Sequence, residues 1–127
     1  MNPKTILVVD DDFSTAEILT FVLENEGYRV LTAFNGKDGL DKLRLSSVDL
    51  VILDVMMPIM NGAEMAHAMK PDPAPGNVPV LITSALPETT VQGMFGRYQG
   101  FLRKPFQMES VLALVRAILT DADKRRG

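Results

Sequence analysis

The sequence predicts an α/β fold in which buried, parallel strands alternate with helices. Five short runs rich in apolar residues are separated by segments with helical periodicity. The run 50–53 is apolar without a break and ends at Asp54, whereas a strand with one wet face would alternate apolar and polar residues. Connections of this length favour right-handed crossovers and a parallel sheet covered on both faces. The five expected strands are 6–9, 28–33, 50–54, 78–83 and 100–103.

Length and composition limit the possible classes of protein. The 127 residues suffice for one domain with its own core, which we place at 4–121, followed by a basic tail or linker stump at 122–127. A net charge of -3 offers no basic surface for nucleic acid, and the absence of cysteine excludes disulfides and thiolate metal sites. The apolar run at the N-terminus is too short for a signal peptide or a membrane span, so we expect a cytoplasmic protein without membrane contact.

The first half of the chain carries signals for two helices. Ser14 and Glu17 match a capping box, and Gly27 supplies a helix stop. The apolar face expected for this first helix consists of Ile18, Leu19, Val22 and Leu23. Asn35-Gly36 ends the second strand, and a short helix over 37–45 should turn Leu40 and Leu43 inward.

The second half predicts three more helices of unequal strength. A turn-rich loop over 57–62 leads into a helix over 62–69, which a stiff loop with three prolines at 71–76 follows. The segment 88–98 is only weakly helical because it contains two glycines and a Thr-Thr-Val run. A helix over 107–121 is strongly marked by apolar periodicity, and the residues after it are expected to be solvated.

Polar side chains follow four of the five expected strands. They are Asp10-Asp11, Asp54, Ser84 and Lys104, whereas the second strand ends in Ala33-Phe34 without reactive groups. The carboxyl ends of parallel strands meet at one edge of the sheet, where open α/β sheets place their sites. We therefore expect three carboxylates, a hydroxyl and an ammonium at one edge.

This set of groups suits phosphoryl transfer. Two carboxylates about 4 Å apart repel by roughly 4 kcal/mol at an effective dielectric of 20, so the cluster needs a cation. Oxygen ligands without His or Cys favour Mg²⁺, for which Mn²⁺ is the expected substitute. Lys104 and Ser84 could bind phosphoryl oxygens while Asp54 acts as the nucleophile and forms an aspartyl phosphate.

Four motifs in this order resemble the receiver domain of two-component response regulators, in particular the stand-alone, chemotaxis-regulator-like kind. The resemblance extends from Ile6 to about Leu119. The motifs are Val8-Val9-Asp10-Asp11, Leu53-Asp54-Val55-Met56-Met57-Pro58 with Asn61-Gly62, Thr83-Ser84-Ala85, and Lys104-Pro105-Phe106. The resemblance implies a flavodoxin-like, five-stranded parallel sheet of order 2-1-3-4-5 flanked by five helices.

The same resemblance implies a role for each site residue. Asp54 would accept a phosphoryl group from a histidine kinase or a histidine phosphotransfer protein. Mg²⁺ would be held directly by Asp11, largely through water by Asp10, and by the Met56 carbonyl. Ser84 and Lys104 would bind the phosphoryl oxygens, and the Lys104-Pro105 peptide bond would be cis. The protein would then be a signalling phosphoprotein and not a metabolic enzyme.

Departures from the family pattern lead to further expectations. Phe101 stands at the aromatic switch position but has no hydroxyl, so its rotation cannot be rewarded by a new hydroxyl bond. We expect the order of 88–98 to depend on phosphorylation. This segment, Phe101 and the last helix would dock an unidentified downstream protein and any phosphorylation-dependent dimer; otherwise the chain would be a monomer. Because Met56 and Leu86 are apolar and cannot position water, self-hydrolysis should take hours and not seconds.

Two rival interpretations remain at this point. Asp10-x-Asp12 after a strand resembles the nucleophile motif of haloacid dehalogenase phosphatases, with Asp10 as nucleophile, although that leaves Asp54 unexplained. A degenerate receiver used as a scaffold would not need the complete set of charged groups. Asp12 alone is more simply a helix N-terminal acid, and His67 a surface residue. Met56, Met57 and Met60 could be core residues or a docking surface.

Overall fold

In the part of the chain that the structure describes, five parallel strands form one sheet of order β2-β1-β3-β4-β5, flanked by five helices, as the resemblance implied. The computed structural model describes residues 3–70 and 77–126. The strands are β1 Thr5–Val9, β2 Arg29–Ala33, β3 Leu50–Asp54, β4 Val80–Ser84 and β5 Gly100–Arg103. The helices are α1 Phe13–Asn25, α2 Gly36–Leu45, α3 Gly62–Met69, α4 Glu88–Gln92 and α5 Met108–Arg126. The proline-containing loop predicted at 71–76 lies outside the described residues.

Both faces of the central strands are buried, which explains why their sequences do not alternate. Successive side chains of a strand point to opposite faces. The strands therefore contribute to two cores. The core on the side of α2, α3 and the segment around α4 contains Leu7, Val9, Val51, Leu53 and Ile82. The core on the side of α1 and α5 contains Ile6, Val8, Leu50, Ile52 and Leu81. Full burial of such a side chain contributes about 2 kcal/mol to the free energy of folding. The strands are therefore held firmly, and so are the residues that follow their carboxyl ends.

The register of the sheet brings the polar strand ends together. Val9 lies opposite Leu53. The residues that follow them, Asp10 and Asp54, therefore lie side by side at the carboxyl edge of the sheet. On the other side of β3, Asp54 lies opposite Thr83. Ser84 in turn lies opposite Arg103, and Lys104 follows directly. The predicted convergence therefore follows from strand pairing alone.

Helix α1 begins differently from the sequence prediction. The N-cap is Asp12, whose carboxylate accepts hydrogen bonds from the Ser14 amide at 3.1 Å and the Thr15 hydroxyl at 2.7 Å. The predicted capping box of Ser14 with Glu17 is wrong because the helix already begins at Phe13, which leaves Ser14 within its first turn. The Thr15 hydroxyl bond, together with the backbone amides, lowers the pKa of the Asp12 carboxyl.

The buried stripe of α1 is also shifted from the predicted one. It consists of Ala16, Leu19 and Leu23, whereas Ile18 is 50% exposed. Ala16, Leu19 and Leu23 are spaced three and four residues apart and so lie on one face of the helix, whereas Ile18 lies to the side of that face. Gly27, at φ 93°, ends the helix as predicted, and its amide donates to the Glu24 carbonyl.

Helices α2 and α3 match their predicted ranges closely and are both capped by asparagine. Leu40 and Leu43 are buried as expected. Asn61 forms a reciprocal capping box with Glu64, a signal that the sequence prediction did not use. Gly62 lies so close to β3 that a Cβ there would be 2.3 Å from the Asp54 carbonyl oxygen. The loop from Asp54 to α3 therefore folds back tightly against the end of the strand.

The segment after β4 forms less helix than the range 88–98 that the sequence weakly predicted. Helix α4 ends at Gln92, after little more than one turn. Val91 and Phe95 are buried in the core, and the Tyr98 hydroxyl donates to the Glu88 carboxylate at 2.8 Å. Two apolar anchors and one exposed hydrogen bond therefore hold a segment with little regular backbone bonding.

Helix α5 continues five residues beyond its predicted end at Asp121. Asp121 and Arg125, one helical turn apart, pair at 3.2 Å within the added turn. Asp123, Lys124 and Arg125, which were expected to lie in a solvated tail, are exposed but helical. Two further ion pairs tie α5 to other parts of the chain, Arg116 to Glu26 and Lys4 to Asp123, both at 2.8 Å. Within the described part of the chain, no helix combines the length and apolar character needed to span a membrane.

Candidate functional site

Three charged side chains from three strand ends meet at the carboxyl edge of the sheet. The Lys104 ammonium donates to an oxygen of Asp10 at 2.9 Å and lies 3.4 Å from an oxygen of Asp54. Asp10 is 2% exposed and Asp54 6% exposed, so water screens little of this charge. The structure thus brings together residues that are far apart in the sequence, at the edge where they were predicted.

Burial and like charge make Asp54 a weaker acid than usual. Burial first, and then the neighbouring Asp10 carboxylate, raise the pKa of Asp54 to about 6, although the Lys104 ammonium opposes both. For Lys104, burial alone would lower the pKa, but its hydrogen bond to Asp10 and the charges of both carboxylates outweigh burial, and the pKa is raised. At neutral pH the site therefore holds a charged lysine beside a mainly ionised Asp54.

Asp11 completes an acidic cluster that could hold a divalent cation. One carboxylate oxygen from each of Asp10, Asp11 and Asp54 lies within 4.8 Å of the others. Asp11 is exposed, whereas Asp10 uses its oxygens for the Asp12 amide and the Lys104 ammonium. Three hard oxygen donors without His or Cys fit the ligand preference of Mg²⁺. The donor set therefore fits the metal that the sequence predicted.

Asp12 does not join this cluster. Its carboxylate caps α1 and is exposed, as expected for a helix N-terminal acid. The rival interpretation as a phosphatase needs both acids of Asp10-x-Asp12 at one site. Because Asp12 is engaged with its own helix, the arrangement offers no support for that alternative.

Ser84 is connected to Lys104 through the backbone. Its hydroxyl is buried and accepts a hydrogen bond from the Leu86 amide at 2.8 Å, which leaves the O–H free to donate. The Lys104 amide donates to the Ser84 carbonyl at 2.7 Å. The Lys104-Pro105 peptide bond is cis, as the resemblance implied. Ser84 and Lys104 thus lie at the ends of adjoining strands, at the same edge of the sheet as Asp54.

The loop after Asp54 has one backbone feature that the sequence prediction missed. Ile59 has φ 69°, a conformation that β-branched residues rarely adopt, and the Met60 amide bridges it by donating to the Pro58 carbonyl at 2.7 Å. The sequence predicted a turn-rich loop over 57–62, but no spacing or motif indicated a positive φ at Ile59. Met56 is 59% exposed, whereas Met57 and Met60 pack against the core, so the methionines do not form one continuous docking surface.

Two other residues lie where the sequence prediction expected them. Phe101 is half-buried on β5 and packs against the core that contains Val91. His67 is exposed on α3, as expected for a surface residue, and is not one of the residues of the acidic cluster. Neither side chain contributes a charged group to the cluster.

The sheet order and the groups at its carboxyl edge define a receiver-type domain, and comparison with known proteins agrees. The profile of the family described as "Response regulator receiver domain" matches residues 6–116. The chain therefore belongs to the response regulator receiver domain family, whose members act in two-component signalling.

Individual relatives support the same assignment. The response regulator ArlR of Staphylococcus aureus is 37% identical over 116 residues, which are 90% of this chain and 52% of ArlR, so the chain spans about half the length of the curated relatives it matches. A CheY-like receiver domain protein from Methanospirillum hungatei superimposes with a TM-score of 0.86 at 26% identity. The superposition covers 97% of this chain and 98% of the Methanospirillum chain. TrrA of Thermotoga maritima, solved in complex with Mg(2+)-BeF, has a TM-score of 0.81 at 30% identity, with 91% and 98% covered.

Proposed function

We propose that this domain is a signalling switch that accepts a phosphoryl group on Asp54. The observation that carries the proposal is the meeting of Asp10, Asp54 and Lys104 at distances of 2.9 and 3.4 Å from the lysine nitrogen. A carboxylate nucleophile beside a fixed cation is the arrangement that phosphoryl transfer requires, because positioning and charge neutralisation supply most of the rate. The donor would be a histidine kinase or a histidine phosphotransfer protein, and the domain would act in the cytoplasm.

In the proposed reaction a carboxylate oxygen of Asp54 attacks the phosphorus of a phosphohistidine. A new phosphorus–oxygen bond forms as the phosphorus–nitrogen bond breaks, and the imidazole leaves with the electron pair. Lys104 would donate to a phosphoryl oxygen, and its positive charge would balance part of the negative charge on the transferred group. The Ser84 hydroxyl, free to donate, would bind a second phosphoryl oxygen.

A divalent cation has a defined place in this proposal. Asp11, Asp54 and the Met56 carbonyl would hold Mg²⁺, and Asp10 would hold it mainly through water, because its oxygens already bind Lys104 and the Asp12 amide. When bound, Mg²⁺ supplies charge neutralisation at the phosphoryl oxygens. Mn²⁺ prefers similar oxygen ligands and should substitute for it.

Phosphorylation by a small-molecule donor tests the proposal directly. The protein is incubated with acetyl phosphate and Mg²⁺, and its intact mass is then measured. We expect a gain of one phosphoryl group with Mg²⁺ or Mn²⁺ and no gain when EDTA is added. An unchanged mass with Mg²⁺ would overturn the proposed function.

Self-hydrolysis of the phosphorylated protein should be slow. Met56 and Leu86 present apolar side chains near Asp54 and Ser84, and neither can orient an attacking water. We expect a phosphoryl lifetime on the order of hours, and Met56→Asn should shorten it about tenfold by adding a group that can hold water, equivalent to about 1.4 kcal/mol of barrier. Loss of the phosphoryl mass over time gives the rate.

A remote variant provides the control for this measurement. Leu45 is 85% exposed at the end of α2, and Leu45→Asn introduces the same amide away from the site. Its phosphoryl lifetime should equal that of the unmodified sequence. A lifetime of seconds in the unmodified sequence would contradict the prediction.

The proposed output face consists of the α4 segment, β5 with Phe101, and α5. Since Ser84 ends the strand that precedes α4, a phosphoryl group bound by Ser84 would pull on this segment. Phe101 would follow by rotation, although without a hydroxyl it gains no new hydrogen bond. The partner that reads this face would be a downstream protein or a second phosphorylated copy, and the unphosphorylated domain would be a monomer.

Hydrogen exchange should detect this change in the α4 segment. Before phosphorylation we expect weak protection of the amides over 88–98, because α4 has little more than one turn and its Thr90 and Val91 amides share the Pro87 carbonyl. Phosphorylation should increase their protection, whereas amides of β1 should not change. Strong protection of 88–98 before phosphorylation would refute the prediction. Exchange followed by mass spectrometry measures both states.

A further inference from the structure

A small cavity lies between α3 and the stretch 94–99 that follows α4. It has a volume of about 110 Å³. Its walls are mainly apolar, and three of the side chains that line it, Met69, Val80 and Phe95, are buried. Because β4 begins at Val80, the cavity lies toward the amino end of the sheet, whereas Asp54 lies at the carboxyl end. The cavity is therefore separate from the acidic cluster.

The cavity exists because small residues line it on both sides. Ala63 and Ala66 are three positions apart on α3, so they lie on one face of the helix. Gly96 belongs to the opposite wall, and a Cβ there would be 2.7 Å from the Lys70 ammonium. The Lys70 side chain thus reaches from α3 to that wall. The space has room for about four or five carbon atoms, since a cavity of about 150 Å³ takes one benzene ring.

The ionisable side chains around the cavity are all basic. They are His67, Lys70 and Arg97, which are exposed, and no acidic residue among 3–70 and 77–126 lines the cavity with them. Within the same ranges, none of the three has a salt-bridge partner. Such a group is unusual in a chain with a net charge of -3. An anion at the rim would relieve the repulsion among its positive charges.

We propose that this cavity binds a small carboxylate with a branched apolar body of about four carbons. The body would fill the space beside Ala63 and Ala66. The carboxylate would stay at the rim, where the Arg97 guanidinium can donate to both of its oxygens and Lys70 to one. The ligand would contact both α3 and the stretch 94–99, and would hold them together. Binding requires neither Mg²⁺ nor the phosphoryl group, so its test is independent of that of the proposed function.

The experiment titrates the whole ¹⁵N-labelled chain with 3-methylbutanoate and follows the amide signals by NMR. Signals of residues 63–70 and 94–99 should shift with a dissociation constant on the order of 1 mM, as expected for a ligand this small. The alcohol 3-methylbutan-1-ol has the same apolar body without the charge. It should bind at least about tenfold more weakly, because it loses the charge-assisted hydrogen bonds.

Two variants separate the role of charge from that of shape. Arg97→Gln removes one cation and should weaken binding of 3-methylbutanoate about tenfold. Ala66→Leu keeps all three basic groups but fills the cavity, so it should abolish binding. Lys124 is exposed on α5 and does not line the cavity. Lys124→Gln therefore removes the same charge elsewhere and should bind as the unmodified chain does.

Several results would overturn the proposal. The absence of saturable shifts would show that the cavity does not take a carboxylate. Equal binding of the alcohol would remove the role of the basic groups, and equal binding by Ala66→Leu would place the anion outside the cavity. Displacement of 3-methylbutanoate by an equal concentration of inorganic phosphate would reduce the site to a general anion site. Circular dichroism checks that Ala66→Leu is folded, and the exposed variant Arg97→Gln carries the test if it is not.

Discussion

Replacing Asp54 with asparagine is expected to abolish phosphorylation completely. The amide keeps the size of the side chain but is a poor nucleophile toward phosphorus, and a neutral group at this position weakens the attraction for both Mg²⁺ and Lys104. Incubation with acetyl phosphate and Mg²⁺ should therefore leave the intact mass of Asp54→Asn unchanged, while the unmodified chain gains one phosphoryl group. Electrospray mass spectrometry of the whole protein distinguishes these results.

The control for this variant is a carboxylate outside the site. Asp41 is exposed on α2, and Asp41→Asn makes the same chemical change away from the acidic cluster. This variant should gain the phosphoryl mass normally. Persistent phosphorylation of Asp54→Asn would mean that another carboxylate is the acceptor, with Asp10 the nearest candidate because it contacts the same lysine.

The stability of the metal-free protein should fall as the pH rises, because of Asp54. The pKa of Asp54 is about 6 in the folded protein and 3.8 in the unfolded chain, so folding favours its protonated form. The stabilisation associated with this group is fully present below about pH 3.8 and is lost as the pH rises through about 6. After allowance for solvent screening, the total loss is on the order of 2 kcal/mol, and a little under half of it falls between pH 5 and pH 8.

Asp54→Asn isolates this contribution from those of the other titrating groups. In EDTA, the variant should gain stability over the unmodified protein as the pH rises from 5 to 8. Mg²⁺ should reduce the gain by neutralising the Asp54 carboxylate. Urea unfolding followed by circular dichroism gives the free energies, since the chain has no tryptophan. A difference between the two proteins that does not change with pH would contradict the raised pKa.

The strands and the site edge were predictable because burial on both faces leaves an unmistakable pattern. An unbroken apolar run such as 50–53 is compatible only with a central strand or a buried helix. The strand is favoured because the run is short and is followed by a charged residue. Once the strands are parallel, Asp10, Asp54 and Lys104 must share an edge. The order of the strands came from the family resemblance, since periodicity does not determine which strands are neighbours.

The ends of the helices were harder to predict because several residues could serve as caps. The start of α1 had two candidate caps, Asp12 alone and Ser14 paired with Glu17. In the structure the helix begins at Phe13, shortly after β1 ends, and Asp12 is the N-cap. At the other end, the residues after Asp121 were expected to form a solvated tail, yet the pair Asp121–Arg125 fits the spacing of a helical turn. Local signals therefore located these helices to within one or two turns.

Surface features were the least predictable part. Phe13 and Phe21 would ordinarily be assigned to a core, but α1 packs on the sheet through Ala16, Leu19 and Leu23 and so leaves both phenylalanines exposed. The conformation of Ile59 likewise depends on how the loop returns to α3. A single sequence contains the residue types but not the direction in which a packed helix or a tight turn exposes them.

The contact between Lys104 and Asp10 joins residues that are 94 positions apart in the chain. A ribosome must therefore synthesise nearly the entire domain before the first aspartate can meet its positive counterpart. No fragment that ends before the fifth strand contains the lysine, and none that begins after the first strand contains its partner. A truncated copy that lacks either residue therefore also lacks the ion pair on which the proposed phosphoryl transfer depends.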